Sequence, residues 1–364
     1  MRYVLTLLAV ALAVSGCASI FGKPNVVTVN QHGNTKVVYR ADDKTRFRNL
    51  YAGKKIYPLT CEADCYAPRR ELECESDNED CHYIGKQTLP TLSAGFTVTW
   101  LGHASFHVET DEGARFLFDP VSDQFDWPVN WAFYLSEGFN RQPPNWPDDE
   151  KMSEIDAVMY SHIHYDHFNK SDIKDLGPAP QYLTPLNTAH HFPEEGLSIE
   201  EMAWYATTEI KNTRIHFVPA HHFSSRIWVP FIYDDNEKSL WGGWILENKG
   251  KTLFFAGDTG YSQHFKDIQA KYGNIDICLL PIASYFHEEY GEWYRYVHTT
   301  PEDTLMAAKE LQCGVVIPWG FGKHSWKMGD ISSHSALTRL LNMYEKIDTP
   351  PPLFILNEGD SVRF

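Results

Sequence analysis

The stretch Ser161-His162-Ile163-His164-Tyr165-Asp166-His167 decides how the rest of the sequence is interpreted. Its three imidazoles and one carboxylate offer only nitrogen and oxygen donors, which suits a divalent ion such as zinc, iron or manganese. The apolar residues 155–160 predict a buried strand before it, and residues 171–176 predict the start of a helix after it. On a loop between these elements, His162 and His164 can converge on one ion while Asp166 and His167 face a second.

This loop resembles the H-x-H-x-D-H signature of the metallo-β-lactamase superfamily. Three longer strings are similar to the branch that contains the N-acylphosphatidylethanolamine-hydrolysing phospholipase D, namely TWLGHASF at 99–106, LWGGW at 240–244 and FFAGDTGY at 254–261. The resemblance covers about residues 97 to 357, with a weaker similarity at residues 46–49. It implies an α/β fold, the αββα sandwich, in which loops at one edge of the sheets carry every metal ligand.

The resemblance also implies the remaining site residues. His222, after a predicted strand at 213–219, would join His162 and His164 as a ligand of the first ion, with His221 as its neighbour. Asp258 would bridge both ions, and His298 would lie in the substrate pocket. The expected catalytic residues are therefore Asp166, Asp258 and His298, and the cofactors are two divalent ions, with zinc preferred over iron or manganese.

The sequence departs from the family at Pro318, where related enzymes have a histidine that completes the second metal site. Proline has no side-chain donor. Either His324 replaces the missing ligand, which we prefer, or Asp166, His167 and Asp258 hold the second ion with water. His103 is a further candidate, as a neighbour of the metal ligands or as a structural residue of a β-turn.

Residues 1–16 have a charged start, an apolar run and small residues before Cys17, which is typical of a secretory signal peptide. Residues 14–17 resemble the bacterial lipobox, which implies that Cys17 carries lipid and anchors the chain at the periplasmic face of the outer membrane. An uncleaved transmembrane anchor is the alternative, but its apolar run is shorter than the ~20 residues that span a bilayer. The net charge of −16 disfavours a nucleic-acid partner.

Four further cysteines lie at positions 61, 65, 74 and 81 in an acidic segment. In an oxidising periplasm they predict two disulfides, with three possible connectivities, rather than a zinc site. Cys278, in a predicted buried strand, is expected to be an inert core thiol. We therefore divide the chain into a signal peptide (1–16), a tether with a cysteine-rich extension (17–90) and a metallo-β-lactamase-like hydrolase domain (91–364).

The aromatic residues at 127–135 and 143–147 follow no strand or helix period. They predict either a loop facing the substrate or the membrane, since Trp and Tyr favour the bilayer interface, or ordinary packing on the core.

Three functions follow from these observations. The first is a metal-dependent phosphodiesterase of phospholipase D type acting on N-acyl or other phospholipids, because a metal-bound water has a pKa of about 7 and supplies a hydroxide nucleophile. The second is a lactonase or carboxylic-ester hydrolase of the same fold. The third is an envelope binding protein whose metal site has degraded at Pro318.

Overall fold

A computed structural model of the protein describes residues 25–29, 35–40, 42–54, 63–74, 81–90, 92–93, 95–122, 125–126, 129–130, 146–226, 228–229, 233–285, 291–325 and 331–364. The predicted signal peptide, the lipidated Cys17 and most of the aromatic loop lie outside these residues. Within them, no helix is long and apolar enough to cross a bilayer.

The strands of the described residues are β1 (Asn25–Val29), β2 (Thr35–Tyr39), β3 (Leu72–Cys74), β4 (Cys81–Tyr83), β5 (Phe96–Trp100), β6 (Phe106–Thr110), β7 (Arg115–Phe118), β8 (Ala157–Met159), β9 (Gln181–Pro185), β10 (Ser198–Met202), β11 (Thr207–Ile210), β12 (Thr213–Pro219), β13 (Trp228–Val229), β14 (Tyr233–Asp234), β15 (Gly242–Asn248), β16 (Lys251–Phe255), β17 (Ile277–Pro281), β18 (Val315–Trp319) and β19 (Ser361–Arg363). The α-helices are α1 (Asp149–Ser153), α2 (Lys170–Leu176), α3 (His264–Tyr272), α4 (Gly291–Val297), α5 (Pro301–Leu311) and α6 (Ser335–Tyr344), and short 3-10 turns occur at Ala63–Tyr66 and Ala189–His191.

One sheet has the strand order β10-β9-β8-β7-β6-β5-β19. Strands β5, β6 and β7 pair antiparallel as consecutive hairpins, and β7 to β10 pair parallel. The alternation of Phe96, Val98 and Trp100 with threonines places all three apolar side chains in the core. The predicted strand at 155–160 and the helix after the histidine-rich loop are likewise present, as β8 and α2.

The second sheet has the order β11-β12-β15-β16-β17-β18. Its first four strands pair antiparallel and its last three pair parallel. The parallel strands β17 and β18 are buried along their whole length, because helices cover the outer face of this sheet.

The two sheets face each other across the main hydrophobic core. Phe255 of the second sheet contacts Phe106 and Phe118 of the first, with ring centroids 5.9 and 5.0 Å apart. Helix α2 packs on the outer side of the first sheet, and α3 and α5 pack on the outer side of the second. These four layers confirm the predicted αββα sandwich.

The N-terminal extension packs on this sandwich. Val37, Val38 and Phe47 are fully buried in the main core. Arg46 pairs with Asp234, with Nη1 2.7 Å from Oδ1. Burial of these side chains shows that the described part of the segment before residue 91 is not a free tether.

Cysteine pairing confirms one prediction and corrects another. A disulfide joins Cys74 to Cys81 across the β3–β4 hairpin, and Cys65 is also disulfide-bonded. Cys278 is not an inert thiol, because it forms a disulfide with Cys313. The sequence could not show this pair, since the crossover through α5 returns the chain to β18 beside β17 and so brings Cys313 next to Cys278.

Candidate metal centre

The histidine-rich segment forms a tight loop between β8 and α2. His164 begins a turn in which its carbonyl accepts hydrogen bonds from the amides of His167 and Phe168. The buried Arg226 guanidinium donates to the carbonyl oxygens of Ile163 and Phe168, at 3.0 and 2.6 Å, and so braces both ends of the loop. This bracing holds several potential ligands on one short backbone segment.

Loops from both sheets meet this segment at one end of the sandwich. His222 follows β12, and Asp258 follows β16 after the turn at Gly257. Gly257 has a φ of 60°, and a Cβ there would lie 2.7 Å from the Cβ of Ser161, so a larger residue would push the two loops apart. Glycine at this position therefore lets Asp258 approach the histidines.

A first group of potential ligands consists of His162, His164, His222 and Asp258, whose donor atoms all lie within 4.8 Å of one another. His164 Nδ1 is 2.7 Å from His162 Nε2 and 3.2 Å from His222 Nε2. His222 Nε2 is 3.8 Å from Asp258 Oδ2. The structure thus brings together the four residues that the sequence predicts for the first ion.

A second group consists of His103, Asp166 and His167. Asp166 Oδ2 lies 2.9 Å from His103 Nε2 and 3.6 Å from His167 Nε2. His167 Nε2 also lies 3.2 Å from Asp258 Oδ2, which places the Asp258 carboxylate between the two groups, where a bridging ligand would have to be.

The outer nitrogens of the site histidines are held by fixed partners. The Nδ1 atoms of His222 and His298 contact the carbonyl oxygens of Val297 and Ser284, at 2.9 and 2.6 Å. The Nδ1 atom of His167 lies 2.7 Å from the carboxylate of the fully buried Asp119. Such contacts fix the ring orientation and the tautomer, and they leave Nε2 facing inward with a lone pair for a metal.

The donor set fits divalent ions. Two nitrogen ligands of one zinc ion, each ~2.0–2.1 Å from it, lie about 3.4 Å apart in a tetrahedral array and about 2.9 Å apart in an octahedral one. The observed separations of 2.7 to 3.8 Å span both values. In addition, His167 Nε2 is buried and has no partner with hydrogen-bond geometry among the described residues, although the Asp258 carboxylate is near it. A metal ion would satisfy this atom.

The electrostatics of the two groups agree with this fit. Burial lowers the pKa of His162 and His222 well below the ordinary value, and it lowers the pKa of His164 to about 4. These imidazoles are therefore neutral, which is the form that binds a metal.

The carboxylates stay ionised for a different reason. Burial by itself would raise the pKa of Asp166 and Asp258, but neighbouring imidazoles together outweigh burial and lower the pKa of both, those of His167 and His103 at Asp166 and those of His167 and His298 at Asp258. Burial also opposes protonation of His167, yet the carboxylates of Asp258 and Asp166 raise its pKa. Without an ion this histidine carries the countercharge that a divalent cation would otherwise supply.

Three residues at the site have an unusual backbone geometry. His103, Asp119 and Ser284 have φ values of 49°, 40° and 56°, in the left-handed region that non-glycine residues seldom adopt. Each one supplies or orients a side chain of the site. Conformations of this kind cost about 1–3 kcal/mol each, and they persist where the surrounding structure and a functional constraint require them.

His298 and His324 differ in their relation to the two groups. His298 Nε2 lies 3.2 Å from Asp258 Oδ2, so this histidine lies at the edge of the site. His324 belongs to none of the groups of potential metal ligands found among the described residues. Its amide nitrogen lies 3.0 Å from the Glu358 carboxylate. Among the described residues, the third residue grouped with Asp166 and His167 is His103.

Sequence reasoning missed three supporting residues. Neither Asp119 nor Ser284 was named as a site residue from the sequence. Asn49 of the N-terminal extension accepts the His222 amide N–H at 3.0 Å and donates to its carbonyl at 2.8 Å. The weak family similarity at residues 46–49 was the signal that could have found Asn49.

Comparison with known proteins supports the same family. The chain is 30% identical over 243 residues to an uncharacterised protein of Mycobacterium tuberculosis, covering 63% of this chain and 60% of that protein. It is 28% identical over 244 residues to N-acyl-phosphatidylethanolamine-hydrolyzing phospholipase D 1 of Caenorhabditis elegans, covering 62% and 64%. It is 26% identical over 297 residues to a UPF0173 metal-dependent hydrolase of Polynucleobacter asymbioticus, covering 78% and 92%. The alignments with the first two relatives thus span less than two thirds of each relative.

A shorter similarity concerns the cell envelope. Over 113 residues the chain is 27% identical to the outer membrane protein RomA of Klebsiella pneumoniae, covering 31% of this chain and 77% of that protein.

The fold has counterparts among solved structures. Isothiocyanate hydrolase from Delia radicum gut bacteria superposes with a TM-score of 0.53 at 17% sequence identity, covering 74% of this chain and 98% of that chain. At that identity the superposition establishes the fold alone. The model of the beta-lactamase superfamily domain matches residues 114–321, more than half of the sequence. The protein therefore belongs to the metallo-β-lactamase superfamily.

Proposed function

We propose that this protein is a metal-dependent hydrolase that cleaves a phosphodiester bond in phospholipids, with the specificity of a phospholipase D and N-acylated phospholipids as its preferred substrates. The observation that carries the proposal is the position of Asp258. Its Oδ2 atom lies within 3.8 Å of His222, His167 and His298, so one carboxylate serves both groups of potential ligands and the pocket histidine.

The choice of substrate is supported by the relative from Caenorhabditis elegans, whose name describes the hydrolysis of N-acylphosphatidylethanolamine. The strings at 99–106, 240–244 and 254–261 support the same branch. Two of these strings supply groups to the site, since His103 lies in the first and Asp258 in the last.

Two divalent ions bound here would supply an ionised water and would neutralise charge on a phosphoryl group. The histidines of the first group, with Asp258, would hold one ion, and Asp166, His167 and Asp258 would hold the other. The Asp119 carboxylate and the Val297 carbonyl orient the rings of His167 and His222 by contacting the Nδ1 atoms of these histidines. His298, fixed by the Ser284 carbonyl, presents Nε2 beside Asp258, where it can orient the substrate or deliver a proton to the leaving alkoxide.

We also propose that the mature chain is anchored through a lipid on Cys17 at the periplasmic face of the outer membrane. The sequence of residues 1–17 supports this location, as does the similarity to RomA. The disulfides Cys74–Cys81 and Cys278–Cys313 agree with an oxidising compartment. An anchor there would raise the effective concentration of the enzyme at a lipid substrate.

The experiment compares hydrolysis of N-acylphosphatidylethanolamine, phosphatidylethanolamine and a panel of lactones by zinc-loaded protein. We expect release of phosphatidic acid from the N-acylated lipid, and we expect Asp258→Asn to abolish it without changing the far-ultraviolet circular dichroism spectrum. Asp172→Asn, another buried carboxylate, is the matched control and should stay active. Lactone turnover without phosphodiester turnover would refute the phospholipase assignment, and an active Asp258→Asn variant would refute the role of that residue.

A further inference from the structure

We propose that His103 is a ligand of the second metal ion and replaces the histidine that this chain lacks at Pro318. The inference rests on the two-ion site of the proposed function. It concerns a residue that lies outside the segment matched by the family model, which begins at residue 114.

The geometry of the second group supports this role. His103 Nε2 lies 2.9 Å from Asp166 Oδ2, and the donor atoms of His103, Asp166 and His167 all lie within 4.8 Å of one another. The His103 ring also packs edge-on against the ring of His167, with centroids 5.5 Å apart. A single ion can therefore contact one atom from each of the three side chains.

His103 is held in place from several directions. Its carbonyl accepts the Trp100 indole N–H at 2.9 Å, and its amide donates to Ser325 Oγ at 3.0 Å. The residue is 5% exposed, and the backbone has the left-handed φ of 49°. An imidazole fixed in this way loses little conformational entropy when it binds a metal, which is the property expected of a ligand.

The loop that follows Pro318 contributes to this support. Ser325, which accepts the His103 amide, lies 3.2 Å from the Glu358 carboxylate, and Glu358 also accepts the amide of His324. The loop after β18, the strand that carries Pro318 in place of a histidine, therefore supports the backbone of His103. His324 itself lies on this supporting loop and is not grouped with Asp166 and His167.

The test is zinc stoichiometry and affinity in the full chain, measured by elemental analysis and by competition with a chromophoric chelator, with Zn²⁺ alone as the probe. Wild-type protein is expected to bind two ions per chain. His103→Ala should keep the first ion and bind the second more than about 100-fold more weakly, beyond the 10- to 100-fold effect of outer partners. His191→Ala removes a histidine that is 4% exposed, comparable with 5% for His103, and should keep both ions.

Two further variants, His103→Gln and His324→Ala, distinguish a metal-binding role of His103 from other roles. Gln at position 103 can still donate a hydrogen bond to Asp166, so recovery of the second ion by His103→Gln would show a hydrogen-bonding role and overturn the inference. His324→Ala should retain both ions, and loss of the second ion in that variant would overturn it as well. His103→Asn is the substitute if the alanine variant does not fold, because asparagine tolerates left-handed backbone.

The outcomes distinguish the two levels of the argument. Fewer than one ion bound to wild-type protein would refute the metal-dependent function itself. One ion in wild-type protein would refute the two-ion site on which the role of His103 rests, and two ions in His103→Ala would refute only the role of His103.

Discussion

Replacing Asp119 by asparagine is expected to weaken the second metal site about 10- to 100-fold, the range measured when an outer partner of a metal ligand is lost. Asp119 is fully buried, and both of its carboxylate oxygens contact Ser161, since Oδ2 accepts the Ser161 hydroxyl at 2.5 Å, but only Oδ2 contacts His167. Oδ1 accepts the backbone N–H of Ser161 at 2.7 Å, and Oδ2 lies 2.7 Å from His167 Nδ1.

The effect follows from the proton positions. In the Asp119→Asn variant, the side-chain amide oxygen must stay opposite the Ser161 N–H, so the new amino group faces His167 Nδ1. That nitrogen must then accept a hydrogen bond, which moves the histidine proton to Nε2, the atom that faces the ions. A 10- to 100-fold loss corresponds to about 1.4–2.7 kcal/mol. This range agrees with the ~1.5–3 kcal/mol of a hydrogen bond to a charged group.

The assay is chelator competition near neutral pH, which resolves the tight and weak zinc sites, together with the rate of substrate hydrolysis. Asp172→Asn is the control, because Asp172 is 4% exposed and accepts the Ser122 amide at 2.9 Å without contacting a site histidine. Unchanged second-site affinity in folded Asp119→Asn would show that Asp119 does not control the tautomer of His167.

Three other predictions concern residues around the site and in the core. The double variant Cys278→Ala with Cys313→Ala removes a disulfide between residues 35 positions apart and should lower the free energy of unfolding by about 3–4 kcal/mol in a urea titration. A decrease of less than about 1 kcal/mol would contradict this prediction. Asn49→Ala removes both hydrogen bonds to the His222 backbone and should weaken zinc binding at the first site. Zinc affinity equal to that of the wild-type protein in Asn49→Leu would show that the contact is dispensable. His107→Phe should reduce the dependence of stability on pH. Burial lowers the pKa of His107 from 6.5 to about 4, so the unfolded chain binds more protons than the folded chain between these values, and wild-type stability falls as pH falls below 6.5. As pH falls from about 7.5 to about 5, this histidine should lower the free energy of unfolding of the wild-type protein by about 2 kcal/mol, a loss that His107→Phe should not show. Equal losses of stability in both proteins would refute the assignment.

The sequence by itself determined the fold class and most of the candidate metal ligands. The fold class followed from the family resemblance of residues 97 to 357, whereas four candidate ligands followed from donor atoms spaced within one loop between an apolar run and a predicted helix. Signals of this kind need no knowledge of which distant segments meet. For the same reason the bounds of β8, β12 and α2 came close to the predicted ones.

Only the tertiary structure decided which side chains complete and support the site. His103 and Asp166 are 63 positions apart, Asp119 and His167 are 48 apart, and Asn49 and His222 are 173 apart. The first two pairs meet because separate strands of the first sheet end at the same edge of the sandwich, and the third meets because the N-terminal extension packs against the loop after β12. No periodicity or spacing in the chain encodes such a meeting, and the same holds for Cys278 and Cys313, which the crossover through α5 brings together.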